Sequence, residues 1–122
     1  MKPGVKRPEG SKEYFTPEQC YILELSNSPD DAACSIARAR VAPGVTTRWH
    51  RVKDTAERYV ILEGRGRVEV GELPPQDVKP GDVVLIPPSV RQRFTNTGEE
   101  NLTFLAICTP RFRQEAYEDL RD

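Results

Sequence analysis

The stretch GVTTRWHRVKDTAERYVILEG (residues 44–64) decides the fold, because two runs with strand-like composition flank a short polar turn. Alternate side chains of a strand point to opposite faces, so His50 and Val52 share one face of the first run. Glu57 and Tyr59 share one face of the second run by the same rule. A hairpin can bring these two faces together. We therefore expect His50, the only histidine of the chain, to lie near Glu57.

A second stretch, GDVVLIPPSVRQRFTN (residues 81–96), contains two more strand-like runs separated by a proline-rich turn. Gln92 and Phe94 lie on one face of its second run, again because side chains alternate. Glycines open both stretches, at strand ends where tight turns need positive φ. The inward faces of a small barrel converge on its axis, so we expect Gln92 to share a pocket with His50 and Glu57.

The rest of the chain continues this pattern of short runs rich in Val, Ile, Tyr, Phe and Thr, separated by Gly, Pro, Asn and Asp. Such spacing is typical of an all-β sandwich or barrel. With 122 residues, the chain is long enough for one domain with its own core. We expect a flexible polar arm over residues 1–16 and a single barrel domain over 17–122, with the last barrel strand ending near residue 109.

Only the C-terminal segment TPRFRQEAYEDLRD (residues 109–122) has a helical period. Pro110 suits the first position of a helix. Phe112, Ala116 and Leu120 fall on one stripe at helical spacing. The sequence therefore predicts a short C-terminal helix that closes the barrel.

Charge and composition exclude several classes of function. The formal net charge of -1, with both signs mixed, leaves no basic surface for nucleic acid or an anionic membrane. No apolar stretch approaches the ~20 residues that span a bilayer, and the N-terminus has no apolar signal core. Three cysteines far apart in the chain are expected to be reduced thiols. These features favour a cytoplasmic protein.

Together the two stretches resemble the paired motifs of the cupin superfamily. The first family motif is Gly, five residues, His-x-His, three or four residues, Glu, six residues and Gly. The second is Gly, five residues, Pro-x-Gly, two residues, His, three residues and Asn. The matching positions here are Gly44, His50, Val52, Glu57, Gly64, Gly81, Pro87, Ser89, Gln92 and Asn96. The resemblance implies an all-β fold, an antiparallel double-stranded β-helix (jelly-roll or cupin barrel) of the small single-domain kind.

The resemblance also implies where a metal would bind. In metal-binding cupins the two histidines and the glutamate of the first motif and the histidine of the second are the usual ligands. Here Val52 and Gln92 replace two of those histidines. A site of His50, Glu57 and Gln92 could still hold a divalent ion weakly, such as Mn, Ni, Zn or Fe. A lone histidine excludes a three-histidine site, and a two-histidine-one-carboxylate triad, within one chain.

The same barrel interior is predicted to form a ligand pocket. Tyr59 and Phe94 are expected to line its apolar part, and Val52 its wall at the position of the missing ligand. Arg48 shares strand parity with His50 and could supply the positive charge that a buried Glu57 needs. The pocket residues are therefore Arg48, Val52, Tyr59 and Phe94.

Two functions remain open from the sequence. One is a metal-dependent enzyme acting on a sugar-like or small anionic substrate, with His50 or Glu57 as candidate catalytic residues that move a proton. The other is a degenerate, metal-free cupin that binds a ligand or acts as a sensory module without turnover. Small cupins usually pair, and both faces of the strand YVILEG are apolar. We therefore also expect a homodimer with Trp49, Val60 or Leu62 near the interface.

Overall fold

Eleven strands and two short 3-10 turns make up the fold of the computed structural model, which describes residues 1–8 and 12–120. The strands are β1 (Tyr14–Phe15), β2 (Tyr21–Ser26), β3 (Ser35–Val41), β4 (His50–Val52), β5 (Ala56–Glu63), β6 (Gly66–Val70), β7 (Gln76–Val78), β8 (Val83–Ile86), β9 (Gln92–Asn96), β10 (Leu102–Thr109) and β11 (Tyr117–Asp119). All strand pairs are antiparallel. The predicted all-β jelly roll is confirmed.

Two sheets enclose one core. The larger sheet has the order β1-β2-β3-β10-β5-β8, and the smaller has the order β11-β4-β9-β6-β7. The buried hydrophobic cluster takes residues from both sheets, so their inner faces pack against each other. At its centre, the rings of Tyr59, Phe94 and Phe104 lie with centroids 4.7 to 5.3 Å apart. These three aromatic rings form the centre of the core between the two sheets.

Two turns show how the motifs fix the chain path. Gly64 has φ +84°, and a Cβ there would lie 2.9 Å from the Cα of Leu102, so only glycine fits. Ser89 occupies the position where the second family motif has glycine, and it keeps a positive φ of 65°. Its amide donates to the Val52 carbonyl at 3.0 Å, and its hydroxyl accepts from the Asp54 amide at 3.2 Å. These bonds hold the turn in the conformation that glycine adopts more readily.

The predicted C-terminal helix is wrong. Gln114–Ala116 form a single 3-10 turn, and Tyr117–Asp119 form strand β11, which pairs with β4. The segment from residue 110 to 120 is shorter than the ~12–15 residues that an isolated helix needs. Pairing with β4 supplies backbone hydrogen bonds instead, including Lys53 N–H to the Ala116 carbonyl at 2.9 Å. Tertiary hydrogen bonding therefore overrides the helical spacing of the apolar residues.

The N-terminal segment joins the larger sheet before the predicted end of the arm. Strand β1 pairs with β2, so residues 14 and 15 are part of the fold. Residues 1–8 are exposed, whereas residues 9–11 and 121–122 lie outside the described part of the chain. The division into an arm and a single domain stays a prediction.

The outer faces of the two sheets differ in chemistry. On the smaller sheet, the Trp49 ring lies 4.5 Å from the guanidinium of both Arg91 and Arg93. On the larger sheet, Val83 and Leu85 of the edge strand are 54% and 68% exposed. Trp49 and the apolar patch therefore belong to different surfaces. Within the described residues, no helix has both the length and the apolarity needed to cross a membrane.

Candidate functional site

A cavity of about 240 Å³ lies between the two sheets. Its walls come from the inner faces of both sheets, from the turn before β2 and from the segment after β10. The lining residues are Tyr14, Phe15, Thr16, Pro17, Glu18, Cys20, Ile22, Glu24, Ser35, Ala37, Ala39, Thr47, His50, Val52, Glu57, Tyr59, Phe94, Phe104, Ala106, Cys108, Phe112, Gln114 and Tyr117. The cavity is mostly apolar, with a few polar groups placed on its wall, as in small-molecule sites.

Glu57 is the most deeply placed carboxylate of the cavity. Its position on β5, beside Cys108 of β10, puts it on the inner face of the larger sheet, where it is 6% exposed. The Tyr59 hydroxyl donates to Oε2 at 3.1 Å, and the Gln92 amide nitrogen donates to Oε1. The Cys108 thiol lies 3.8 Å from Oε2. Burial raises the pKa of Glu57, although His50 and these donors oppose that rise.

Gln92 lies behind Glu57 and does not line the cavity. It pairs in register with His50 of β4, so its bond to Glu57 crosses between the two sheets. Its residue is fully buried, and its Oε1 atom accepts no hydrogen bond within the described ranges. Gln92 was expected to share the pocket with His50 and Glu57, but it contacts Glu57 from outside the cavity wall and pairs with His50 through the backbone.

His50 presents its imidazole to the same cavity, 6% exposed. Nδ1 lies 3.0 Å from the Arg48 carbonyl and 3.2 Å from Oε2 of Glu18. The ring stacks on Tyr117 of β11, with centroids 5.4 Å apart and planes at 22°. Two acceptors at Nδ1 favour a proton on that atom, which leaves the lone pair on Nε2 in the neutral ring.

Glu18 is the residue that the sequence patterns missed. It lies in the turn of residues 16–20, where Gln19 N–H donates to the Thr16 carbonyl at 3.0 Å. The Arg48 amide donates to the Glu18 carbonyl at 3.0 Å, which docks the turn beside β4. Burial raises the pKa of Glu18 and outweighs the opposing attraction of His50. Its only sequence signal is a carboxylate in a Thr-Pro turn, which does not reveal which strand the turn will reach.

Arg48 does not line the cavity, although it was expected to balance the charge of Glu57. Its guanidinium lies 3.2 Å from Oδ2 of Asp119 on β11. Asp119 pairs in register with His50, so β11 brings that carboxylate beside the Arg48 side chain. The Arg48 guanidinium therefore pairs with Asp119 of β11, a strand that the sequence did not predict, and not with Glu57.

The other predicted pocket residues lie in the cavity wall. Val52, Tyr59 and Phe94 all line it and are all buried. Burial and the adjacent Glu57 raise the pKa of Tyr59 well above its ordinary value, so its hydroxyl stays a donor. Val52 forms an apolar surface where the first family motif has a histidine.

The donor atoms as arranged do not fit a resident metal ion. Both oxygens of Glu57 already accept hydrogen bonds, and Gln92 presents its nitrogen toward Glu57. Nδ1 of His50 faces Glu18 and a carbonyl group. Across residues 1–8 and 12–120, no three His, Cys, Asp or Glu side chains lie together in a metal-binding arrangement. A metal would require Glu57 and Gln92 to exchange their present partners.

Two curated relatives set the context. The chain is 33% identical over 111 residues to the uncharacterized protein MJ1618 of Methanocaldococcus jannaschii, covering 89% of this chain and 88% of that protein. It is 43% identical over 63 residues to the glucose-6-phosphate isomerase of Pyrococcus abyssi. That match covers 48% of this chain and 33% of the isomerase, so the chain spans only a third of that relative.

Similarity to solved structures supports the fold. Pac13, a nucleoside dehydratase, superposes with a TM-score of 0.81 at 14% identity, covering 98% of this chain and 92% of Pac13. Variants of the same Streptomyces protein were solved with uridine. The cupin domain model matches residues 37–108, which include both motifs and the strands that carry His50, Glu57 and Gln92. The chain therefore belongs to the cupin superfamily.

Proposed function

We propose that this cupin binds a small polar ligand between its sheets and moves a proton on it, with His50 as the general base. The observation that carries the proposal is the pairing of His50 with Glu18 in the cavity wall, 3.2 Å apart. A carboxylate at Nδ1 stabilises the imidazolium that forms when Nε2 takes a proton. The carboxylate also fixes the ring orientation, as does the stacked Tyr117.

The glucose-6-phosphate isomerase and the nucleoside dehydratase Pac13 support chemistry of this kind. Isomerisation of a sugar phosphate and dehydration of a nucleoside both require removal of a proton and delivery of a proton to oxygen. Such reactions need a base within reach of the C–H bond and a group that can deliver a proton to oxygen. Here His50 supplies the base, and the Glu57–Tyr59 pair supplies protons that can be donated or shared. None of these steps uses a metal ion.

The size of the cavity limits the ligand. At about 240 Å³ it is smaller than the roughly 300–1,000 Å³ of pockets for drug-sized molecules. A single sugar ring, or a molecule of similar size, suits that volume. The aromatic floor of Tyr59, Phe94 and Phe104 offers an apolar face for one side of such a ring.

Proton abstraction can be tested before the natural substrate is known. The protein is incubated in heavy water with a panel of small aldehydes, ketones and reducing sugars, and deuterium at carbon is followed by NMR. We expect the parent to incorporate deuterium into at least one compound faster than buffer does. His50→Gln, which keeps the size but not the base, should abolish that excess.

Matched controls separate this proposal from its alternatives. Glu99→Gln, at an exposed position, should exchange at the parent rate. Equal exchange by the His50→Gln variant would contradict the role of His50. Elemental analysis of the untagged protein is the second control, because one equivalent of Mn, Ni, Zn or Fe that His50→Ala and Glu57→Gln both remove would reinstate the metal site.

A second candidate is a non-catalytic ligand-binding or sensory barrel. The observation that favours it is the raised pKa of Glu57, because a carboxyl group that stays protonated can serve as a hydrogen-bond donor without turnover. Saturable ligand binding without deuterium exchange in any compound would select this function.

We also propose that the apolar patch at the β8 edge of the larger sheet pairs with a second copy of the chain. Val83 and Leu85 protrude there beside Val60. Ion pairs cover the opposite end of this sheet, where Arg38 and Arg40 meet Glu13, and the smaller sheet, where Arg93 meets Glu69. A charged face is already stable in water, and an apolar one is stabilised by a matching surface. Light scattering should give twice the 13.8 kDa chain mass, and Leu85→Glu should reduce it to the mass of one chain.

A further inference from the structure

The charges in the cavity wall are unevenly distributed. Three carboxylates line it, from Glu18, Glu24 and Glu57, and His50 is its one ionisable base. No lysine or arginine of residues 1–8 and 12–120 belongs to the wall. Even with His50 protonated, the carboxylates outnumber the cations.

Glu57 shows the imbalance most clearly. It is 6% exposed, and its hydrogen-bond partners Tyr59 and Gln92 are neutral donors. The nearest expected cation, Arg48, instead pairs with Asp119 at 3.2 Å. A buried carboxylate is stabilised by a positive charge nearby, and among residues 1–8 and 12–120 the ionisable base in the cavity wall is His50.

Aromatic rings form a second, independent feature of the wall. Seven of the lining residues are aromatic: Tyr14, Phe15, Tyr59, Phe94, Phe104, Phe112 and Tyr117. The faces of such rings attract cations, and the attraction is strongest where water is excluded. Carboxylates combined with ring faces are the chemistry that proteins use to hold ammonium groups.

From these features we infer that the ligand of this cavity is a small organic cation, an amine or ammonium compound, and that phosphate-bearing or carboxylate ligands are excluded. The inference rests on the proposed function, since it assumes that the cavity is a ligand site. The ammonium group would lie toward Glu57, and the apolar part of the ligand on the rings of Tyr59 and Phe94. An anion would meet like charges and find none of the arginine or lysine groups that usually bind phosphate.

An organic cation fits better than a metal ion. A divalent ion needs several oxygen or nitrogen atoms free to coordinate it, whereas both oxygens of Glu57 accept hydrogen bonds from Tyr59 and Gln92, and only Nε2 of His50 keeps a lone pair. An ammonium group can instead approach a carboxylate that keeps its other hydrogen bonds. The apolar walls also suit the carbon skeleton of an organic ligand.

Three probes of nearly equal shape test the inference. Benzylammonium, benzyl alcohol and benzoate carry positive, zero and negative charge on the same ring. Each is titrated into the uniformly ¹⁵N-labelled protein near neutral pH, and backbone amide shifts give the dissociation constants. We expect benzylammonium to bind at least about tenfold more tightly than benzyl alcohol, a ratio within reach of one charge contact in a protein interior. Benzoate should produce no saturable shift.

Two isosteric variants locate the charge effect. Glu57→Gln and Glu18→Gln should each weaken benzylammonium by at least about fivefold, while benzyl alcohol changes by less than about twofold, because each removes one buried charge. Glu99→Gln removes an exposed charge and should leave all three constants unchanged. If one of the two variants folds poorly, the other still shows whether a glutamate charge is needed for benzylammonium binding.

The outcomes separate this inference from the proposed function. If benzyl alcohol or benzoate binds as tightly as benzylammonium, or if the charge order survives both glutamine variants, the cavity does not select cations. The small-ligand site would then remain. If no probe binds at millimolar concentration, the organic-cation inference is wrong, and the deuterium-exchange experiment alone decides the proposed function. If Mn²⁺ or Zn²⁺ displaces benzylammonium competitively at equimolar concentration, the cation is a metal ion and the organic ligand class is rejected.

Discussion

Glu57 and Glu18 both line one cavity, where Glu57 is buried and the Glu18 side chain is 16% exposed, and the fold stabilises them in two different ways. Glu57 lies on a strand and accepts hydrogen bonds from neutral groups, Tyr59 and Gln92. Glu18 lies on a turn and faces an ionisable partner, His50, at 3.2 Å. Burial raises the pKa of both carboxyl groups. The difference teaches that a strand carboxylate can be held by neutral donors from the two sheets, whereas a turn carboxylate is held beside an ionisable ring of a neighbouring strand.

Removing the imidazole should have the largest effect on stability. His50→Ala leaves Glu18 without its partner and removes the ring that stacks on Tyr117, so we expect a loss on the order of 3 kcal/mol. Adding Glu18→Gln to that variant should recover about 1 kcal/mol, because the unpaired charge is then gone. Urea unfolding measures both values. A double variant no more stable than His50→Ala would show that Glu18 and His50 do not interact.

The hydrogen bond from Tyr59 should be worth more to a charged Glu57 than to a neutral group. At alkaline pH, Tyr59→Phe should cost about 2 kcal/mol in the parent and about 1 kcal/mol in a Glu57→Gln background. The difference between the two values is the extra strength of a bond to a carboxylate. A double-mutant cycle by urea unfolding measures it, and equal costs in both backgrounds would mean that Glu57 stays protonated.

The pH dependence of stability distinguishes the two carboxylates further. Because burial raises the pKa of Glu57 in the folded state, the folded protein binds more protons than the unfolded chain above about pH 4.5. Stability should therefore fall as pH rises from the unfolded pKa through the folded pKa. Glu57→Gln should reduce that fall and add about 1–2 kcal/mol at neutral pH, since it removes a buried charge.

Unfolding the parent, Glu57→Gln and the exposed control Glu99→Gln from about pH 5 to about pH 8 checks this slope. Part of the fall should remain in Glu57→Gln, because the pKa of Glu18 is also raised. A Glu57→Gln variant that is less stable than the parent at neutral pH would mean that the carboxylate is compensated by a cation.

A substitution in the turn that carries Glu18 should have the smallest effect on the free energy of unfolding. Gln19 has φ +76°, a conformation that costs a residue with a side chain roughly 1–2 kcal/mol more than glycine. The greater freedom of glycine in the unfolded chain offsets part of this, so Gln19→Gly should stabilise by a few tenths of a kcal/mol. Ser89→Gly is the matched control, and it should gain less because the Ser89 hydroxyl accepts from the Asp54 amide. Melting temperatures of both variants test the order.

The sequence by itself determined the fold and half of the site. Alternation along residues 44–64 and 81–96 places Glu57, Tyr59 and Gln92 on inward faces, because a strand fixes which side chains share a face. Both motifs lie at the spacing of a cupin barrel, and the strands form where the runs predict. That geometry predicts that Glu57 and Gln92 face the interior, but the direct bond from the Gln92 nitrogen to Glu57 was not predicted.

Only the tertiary structure decided the rest, because it depends on which distant segments meet. The turn of residues 16–20 reaches His50 through a backbone bond to Arg48, and nothing in its local pattern indicates that contact. Residues 117–119 form a strand that pairs with β4 and do not form a helix. This pairing brings Asp119 to Arg48 and Tyr117 to His50. The local pattern of the C-terminal segment permits a helix, but its hydrogen bonds with β4 make it a strand. Those contacts pair Arg48 with Asp119 and place the Glu18 carboxylate beside His50.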